Sequence, residues 1–223
     1  MSETTVTGRD HLSNLGNSEE LFEALSAEIT NAAESDGSVS IALIDIDNFG
    51  QINDNYGHEV GDKALELVAG RLIELTPAEK RVFRHSFRAG GDEFVIVMPS
   101  VEKEDAFLLL ERERAAFAGE HEIEHDGQKL AVPITFSAAV ATFPEDGLRP
   151  QDVLRKANDA LYRAKTTGRN KVCLAKEERM VTKTSHYTQA QLARLAHLAK
   201  REKVGEAVLL REALDDLLMQ YGM

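Results

Sequence analysis

Phe87-Arg88-Ala89-Gly90-Gly91-Asp92-Glu93-Phe94-Val95-Ile96-Val97-Met98 reads as two short strands joined at a Gly-Gly turn, with two acids at the turn. Glycines at a hairpin tip allow positive φ and leave no side chain in the way, so a phosphate can lie close to this backbone. Asp92 and Glu93 stand where such a phosphate would arrive. Two bare carboxylates beside a polyphosphate need a cation between them, and oxygen-rich acid clusters favour Mg²⁺, which commonly binds one or two carboxylates plus substrate phosphates. The ordinary alternative is a solvated hairpin, and a second acidic stretch upstream decides between the two.

That stretch follows Val39-Ser40-Ile41-Ala42-Leu43-Ile44-Asp45, whose apolar run predicts a central strand buried on both faces. It continues Ile46-Asp47-Asn48-Phe49-Gly50. An acid pair at the end of a buried strand is costly unless it is paired or metal-bound. Helix capping by Asp47 or Asn48 accounts blandly for one of them. Asp45 directly follows the apolar run, lies at the strand mouth and is not explained that way. Next comes Ile52-Asn53-Asp54-Asn55-Tyr56-Gly57-His58-Glu59-Val60-Gly61-Asp62, dense in groups that hydrogen-bond a purine edge. A carboxylate suits guanine because it accepts from both N1–H and the 2-amino group. Asp62 also stands as a cap for the following helix, which carries Leu65, Leu67, Val68, Leu72 and Ile73 and stops at Thr76-Pro77.

The bulk properties narrow the classes. The chain has 223 residues, 43% hydrophobic and 29% charged, as expected of a globular protein of one sizeable domain with an appendage. No apolar run approaches a membrane span, and the N-terminus lacks the basic and apolar regions of a secretory signal. The single cysteine, Cys173, excludes an internal disulfide framework; together these features lead us to expect a cytoplasmic protein without membrane contact. A net charge of −12 opposes broad nucleic-acid binding. That charge lies in the body of the chain: residues 181–223 carry six Lys/Arg against five Asp/Glu.

Elsewhere the spacing predicts scaffold. A helix capped at Asn17 or Ser18 carries Leu21, Phe22, Leu25 and Ile29, and another spans Glu102 to Ala118. A hairpin turns at Asp126-Gly127, a strand runs from Ile134 to Phe143, a helix from Pro150 to Thr167, and a last strand from Val172 to Ala175. Lys165 and Arg169 suit the helix macrodipole or, functionally, a triphosphate. His121 and His125 read as a solvated strand face rather than a metal site.

Four ordered motifs carry a resemblance to GGDEF-domain diguanylate cyclases: Gly90-Gly91-Asp92-Glu93-Phe94; Asp45-Ile46-Asp47-Asn48-Phe49; Ile52 to His58 with Gly61-Asp62; and Ala160-Leu161-Tyr162-Arg163-Ala164-Lys165 with Gly168-Arg169-Asn170. It covers roughly residues 10–175 and implies a palm-like α/β domain with a central, mainly antiparallel sheet, expected over residues 1–178. The implied activity is condensation of two GTP to cyclic di-GMP with release of two pyrophosphates. By the same resemblance, Asp45, the Ile46 carbonyl, Asp92 and Glu93 match metal ligands for Mg²⁺ or Mn²⁺, two ions per site. Asp92 also matches the proton acceptor, with Glu93 the second catalytic acid. Asn53, His58 and Asp62 match nucleotide-contacting positions, and Lys165 and Arg169 match phosphate binders. The chain departs from the family pattern at Gly50, where a lysine is usual, at Ala89 for an aromatic, and at Asn158 for an aspartate. The product-inhibition motif RxxD falls on Arg81-Val82-Phe83-Arg84 and lacks its aspartate, so ordinary product feedback at that site is not expected.

Residues 179–223 are expected to form a strand at Lys183–Tyr187, a helix capped by Thr188 and running to Glu202, a turn at Val204-Gly205 and a second helix from Glu206 to Gln220. This is similar to a ribbon-helix-helix module, an obligate dimer because one copy is too small to bury its own core. It either dimerises the enzyme or binds DNA through paired strands; near-neutral charge favours the homodimer. Two other functions stay open beside the cyclase: a degenerate module that binds GTP or a cyclic dinucleotide, suggested by Gly50 and Ala89, and a DNA-binding regulator.

Overall fold

The apolar run Val39–Ile46 is a strand buried at every position. In the computed structural model, residues 10–13, 15–75 and 85–175 are described, with 185, 187–202, 206, 209–210, 213–214 and 217 in the C-terminal segment. Arg81–Arg84, Thr76-Pro77 and Val204-Gly205 lie outside the described residues. The elements in chain order are α1 (Ser18–Ser35), β1 (Val39–Ile46), α2 (Phe49–Tyr56), α3 (His58–Glu74), β2 (His85–Arg88), β3 (Glu93–Pro99), α4 (Lys103–Phe117), β4 (Gly119–His125), β5 (Gln128–Ile134), β6 (Phe136–Phe143), α5 (Pro150–Thr166), β7 (Val172–Leu174) and α6 (Gln189–Glu202). The chain divides into two units, Met1–Glu177 and Glu178–Met223.

The fold class is the expected mixed α/β one. Five strands form a sheet in the order β2-β3-β1-β6-β7, with β4 and β5 a separate hairpin. Pairing is antiparallel except between β6 and β7. Alternation along β1 sends side chains to opposite faces. Ile41 and Leu43 pack with α1 and α5, through Leu25, Ile29, Val153, Ala157 and Ala160. Ala42, Ile44 and Ile46 pack with α3 and α4, through Ala64, Val68, Ala106 and Leu110. The same alternation puts Asp45 on the α5 side, at the strand's last turn of the pleat.

Several local expectations needed correction. Residues 49–56 form a helix, α2, which the polar sequence did not suggest. Phe22, expected on the apolar face with Leu21, Leu25 and Ile29, is exposed, and of the apolar residues on α3 Leu67 and Ile73 are exposed as well. The Asp126-Gly127 turn is as expected, with both residues at positive φ, the geometry of a two-residue hairpin loop. In the second unit, Thr188 and Gln191 cap α6 reciprocally: Thr188 N–H donates to Gln191 Oε1 at 2.9 Å, and Gln191 N–H donates to Thr188 Oγ1 at 3.3 Å. Ser185 and Tyr187 are not in a strand, and the remainder of the expected strand Lys183–Tyr187 lies outside the described residues. Those described between 206 and 217 are helical. Among the described residues no helix is long and apolar enough to cross a membrane.

Candidate active site

The acids meet because β1 and β3 are antiparallel neighbours in one register. Asp45 stands directly opposite Glu93, and the Ile46 N–H donates to the Asp92 carbonyl at 3.3 Å. The exit of β1 and the entry of β3 are therefore one place. Like charges directly opposite across strands destabilise a sheet, and Asp45 is only 4% exposed. Its counter-charge among the described residues is Lys165, from the last turn of α5, whose Nζ lies 2.5 Å from Asp45 Oδ2. Burial pushes the Asp45 carboxyl up to about 6, Asp92 and Glu93 add to the rise, and the Lys165 ammonium opposes it without cancelling it. Lys165, expected at a phosphate, thus sits on a carboxylate.

Ala89 N–H donates to the Glu93 carbonyl at 2.9 Å and closes the hairpin. One of the two expected reasons for its glycines fails, since neither Gly90 nor Gly91 has positive φ. They leave room instead. A Cβ on Gly91 would meet nothing within 4 Å, and one on Gly90 only the Glu93 carboxylate at 3.5 Å. Arg88 holds this open loop in place. Its Nε and Nη2 donate to the Gly91 carbonyl at 3.1 and 2.6 Å, and its Nη1 donates to Asp10 at 2.9 Å. Burial opposes the Asp10 charge, but bonds from the Ser13 N–H and Arg88 outweigh it and hold that carboxyl at about 2.

The nucleobase candidates lie on the α2–α3 hairpin, turned at Gly57 with φ 89°. Asn53 crosses to α3 so closely that a Cβ on Gly61 would fall 1.9 Å from its Oδ1. Glycine at 61, the residue before Asp62, is what admits it. That Asn53 oxygen is buried with no hydrogen-bond partner, an exception that asks for a reason in a folded protein. Asp62 is not a cap: α3 begins at His58 with Gly57 at its N-cap, and Asp62 lies exposed one turn inside. His58 is exposed and hydrogen-bonds to none of the other candidates.

Asp47 and Asn48 do not cap α2 either. Asn48 occupies the N-cap position in a left-handed conformation without a side-chain cap bond. The buried Asp47 accepts from Thr135 Oγ1 at 2.7 Å, Ser137 Oγ at 2.6 Å and the Asn170 N–H at 2.9 Å. Its role depends on β6 and the loop after α5 arriving beside it, which no spacing in the sequence reveals.

Whether these residues suit a divalent cation can be judged from the donors. Asp45, Asp92 and Glu93 offer hard carboxylate oxygens around a site of excess negative charge, the chemistry of Mg²⁺ or Mn²⁺. Among the described residues no group of three or more His, Cys, Asp and Glu side chains forms a preformed metal cage. A cation that takes part of its coordination from substrate phosphates needs none.

The sequence matches the family model described as diguanylate cyclase, GGDEF domain, over residues 7–171. It is 38% identical over 168 residues to the diguanylate cyclase DgcP of Pseudomonas aeruginosa, covering 74% of this chain and 24% of that protein. It is 34% identical over 163 residues to the response regulator PleD of Caulobacter vibrioides, covering 73% of this chain and 35% of that protein. The chain therefore spans about a quarter to a third of the length of these curated relatives. Its fold is similar to the crystal structure of the GGDEF domain of DgcB from Caulobacter crescentus in complex with c-di-GMP, with a TM-score of 0.68 and 28% identity over 76% of this chain and 93% of that one. With the motif residues gathered on the strands and helices described above, this chain belongs to the GGDEF-domain family.

Proposed function

We propose that this chain is a diguanylate cyclase that condenses two GTP into cyclic di-GMP and works as a homodimer. In each of two equivalent steps a ribose 3′-oxygen bonds to the α-phosphorus of the facing GTP. The bond from that phosphorus to the bridging oxygen breaks, and pyrophosphate leaves. The observation that carries this reading is the meeting of Asp45, Asp92 and Glu93 at one end of the sheet. Such a concentration of carboxylate repels a polyphosphate unless cations come with it. Divalent ions bound there, two per site, supply charge neutralisation and polarise the attacking hydroxyl. Asp45, Asp92, Glu93 and the Ile46 carbonyl would hold them.

The chain's other residues bind and orient. Asp92 takes the proton of the 3′-hydroxyl. Arg169 binds phosphate, Lys165 would do so once a cation takes its place on Asp45, and the open backbone at Gly90-Gly91 lets the phosphates approach. Asn53 and Asp62 hold guanine, with the Asp62 carboxylate accepting from N1–H and the 2-amino group, and His58 contacts the nucleotide. The buried, unpartnered Asn53 oxygen supports a ligand there.

A cyclic product needs two sites face to face. The C-terminal unit exposes Leu192 of α6 together with Leu210, Leu214 and Leu217, an apolar surface suited to a second copy of the same segment. Tethering two catalytic domains raises the effective concentration of one bound GTP at the other.

Incubating the purified chain with GTP and Mg²⁺ and resolving the nucleotides by ion exchange tests the activity. Cyclic di-GMP and pyrophosphate are expected; unchanged GTP would sink the proposal. Truncation after Ala175 should give a monomer with poor activity at low concentration. A truncate that elutes as a monomer and turns over like the full chain would remove the tail from the account.

A further inference from the structure

The loop after α5 is built more tightly than a helix end requires. Gly168 has φ 113°, Arg169 58° and Asn170 44°. Ending a helix takes one left-handed residue, and glycine supplies it without strain. Here two residues with side chains follow in the same region, each at a cost of about 1–2 kcal/mol for an ordinary residue and less for asparagine. Such a run persists only where its neighbours hold it.

Two neighbours do. The Asn170 N–H donates to Asp47 Oδ2 at 2.9 Å, and its Oδ1 accepts from Arg114 Nη1 at 2.8 Å. Asp47 is fixed in turn by the hydroxyls of Thr135 and Ser137. Arg114 is fixed by Glu111, whose Oε1 also accepts the Val172 N–H at 2.9 Å. With three bonds already accepted, Asp47 has little capacity left for a ligand. Both grips are on Asn170, and directly before it stands Arg169, exposed and in no ion pair with a described residue.

We propose that Asp47 and Arg114 are positioning residues for Arg169, acting through Asn170, an assignment that rests on the cyclase reading of this site. Neither touches the nucleotide. They hold the loop in the one conformation that presents the guanidinium to the phosphates, so binding does not have to order it. Without them the presenting conformation is a minor one, and affinity falls by its fractional population.

Calorimetric titration of GTP and of guanosine, in Mg²⁺ buffer, tests this on the full chain. The proteins are the parent, Arg169→Ala, Asp47→Asn, Arg114→Met, and each of the last two combined with Arg169→Ala. Asp47→Asn and Arg114→Met should each weaken GTP about tenfold and leave guanosine within about twofold. Added to Arg169→Ala, either should change GTP affinity by less than about twofold, because the group they position is gone. Equal losses for GTP and guanosine, or losses that multiply with that of Arg169→Ala, overturn the proposal. Should Asp47→Asn fail to fold, Arg114→Met on the far side of the loop carries the same test. A parent that binds no GTP overturns the cyclase reading and this one with it; a parent that binds GTP with variants unmoved overturns this one alone.

Discussion

Asp146 and Asp45 are both buried carboxylates at opposite ends of one sheet, and each faces a lysine. At the Asp146 end the buried groups are hydrogen-bonded to one another. Lys103 Nζ donates to Asp146 Oδ1 and to Glu145 Oε1, both at 2.8 Å, and the Thr142 N–H donates to Asp146 Oδ2 at 2.8 Å. The nearby Ser40 hydroxyl bonds Thr142 at 2.7 Å and the Val101 carbonyl at 2.7 Å. Burial opposes the Lys103 charge, yet the two acids outweigh it and raise its pKa. At the Asp45 end one lysine is set against three acids, and the carboxyl stands near 6. The first arrangement is closed and leaves nothing for a ligand. The second sets one lysine against three acids, the excess of negative charge that the proposed cations would offset. Each pair buries its carboxylate, but Lys103 is 7% exposed and Lys165 34%, and the acids around them differ in number.

The widest gap between the two ends should appear in turnover. Asp45→Asn should lower cyclic di-GMP formation by about a thousandfold or more, whereas Asp146→Ala should leave the rate per folded molecule within about twofold. Comparable losses in both, measured on folded protein, would erase the distinction.

Stability should reverse the order. Removing one partner of a buried pair strands the other, so Asp146→Ala should cost about 3–5 kcal/mol in urea unfolding. Asp45→Asn should not destabilise. The folded Asp45 carboxyl, near 6, binds its proton more tightly than the unfolded one at 3.8. Ionised Asp45 therefore weighs against the fold above about pH 6, and the burden lifts as the pH falls from there toward 3.8. In metal-free buffer at pH 7 the Asp45→Asn variant should exceed the parent by roughly 1–3 kcal/mol, with the two unfolding curves converging near pH 4. A parent more stable than the variant at pH 7 would mean that ionised Asp45 supports the fold instead of opposing it.

The smallest effect comes from adding charge. Gly50 lies near the start of α2, and a side chain there would meet nothing within 4 Å. Gly50→Lys should strengthen GTP binding by about three- to tenfold and leave the Asp146 end unaffected. Unchanged affinity in a titration would show that this position lies away from the phosphates.

The framework of the Asp45 end was legible in the sequence because it follows from periodicity. The apolar run of β1 with its terminal acid, the hairpin at Gly90-Gly91 and the helix ending at Gly168 each declare themselves within a dozen residues. Contacts that depend on which strands lie side by side did not. Asp47 looked like a cap because its hydroxyl partners are 88 and 90 positions away. The Asn53–Gly61 approach hid inside a segment too polar to suggest a helix. Of the two reasons the turn offers for glycine at 90 and 91, the open space is present and the unusual backbone angles are not. Arg88 gave no sign that it would fasten the loop to Asp10.

Because Asp45 faces Glu93 only in one pairing of β1 with β3, a single inserted residue in either strand would turn its acid to the opposite side of the sheet. Changes of length are thereby excluded from these two strands. The ribbon of β4 and β5 is hydrogen-bonded to no strand of that sheet, so its tip at Asp126-Gly127 is where the first unit can accept grafted sequence without shifting Asp45 against Glu93.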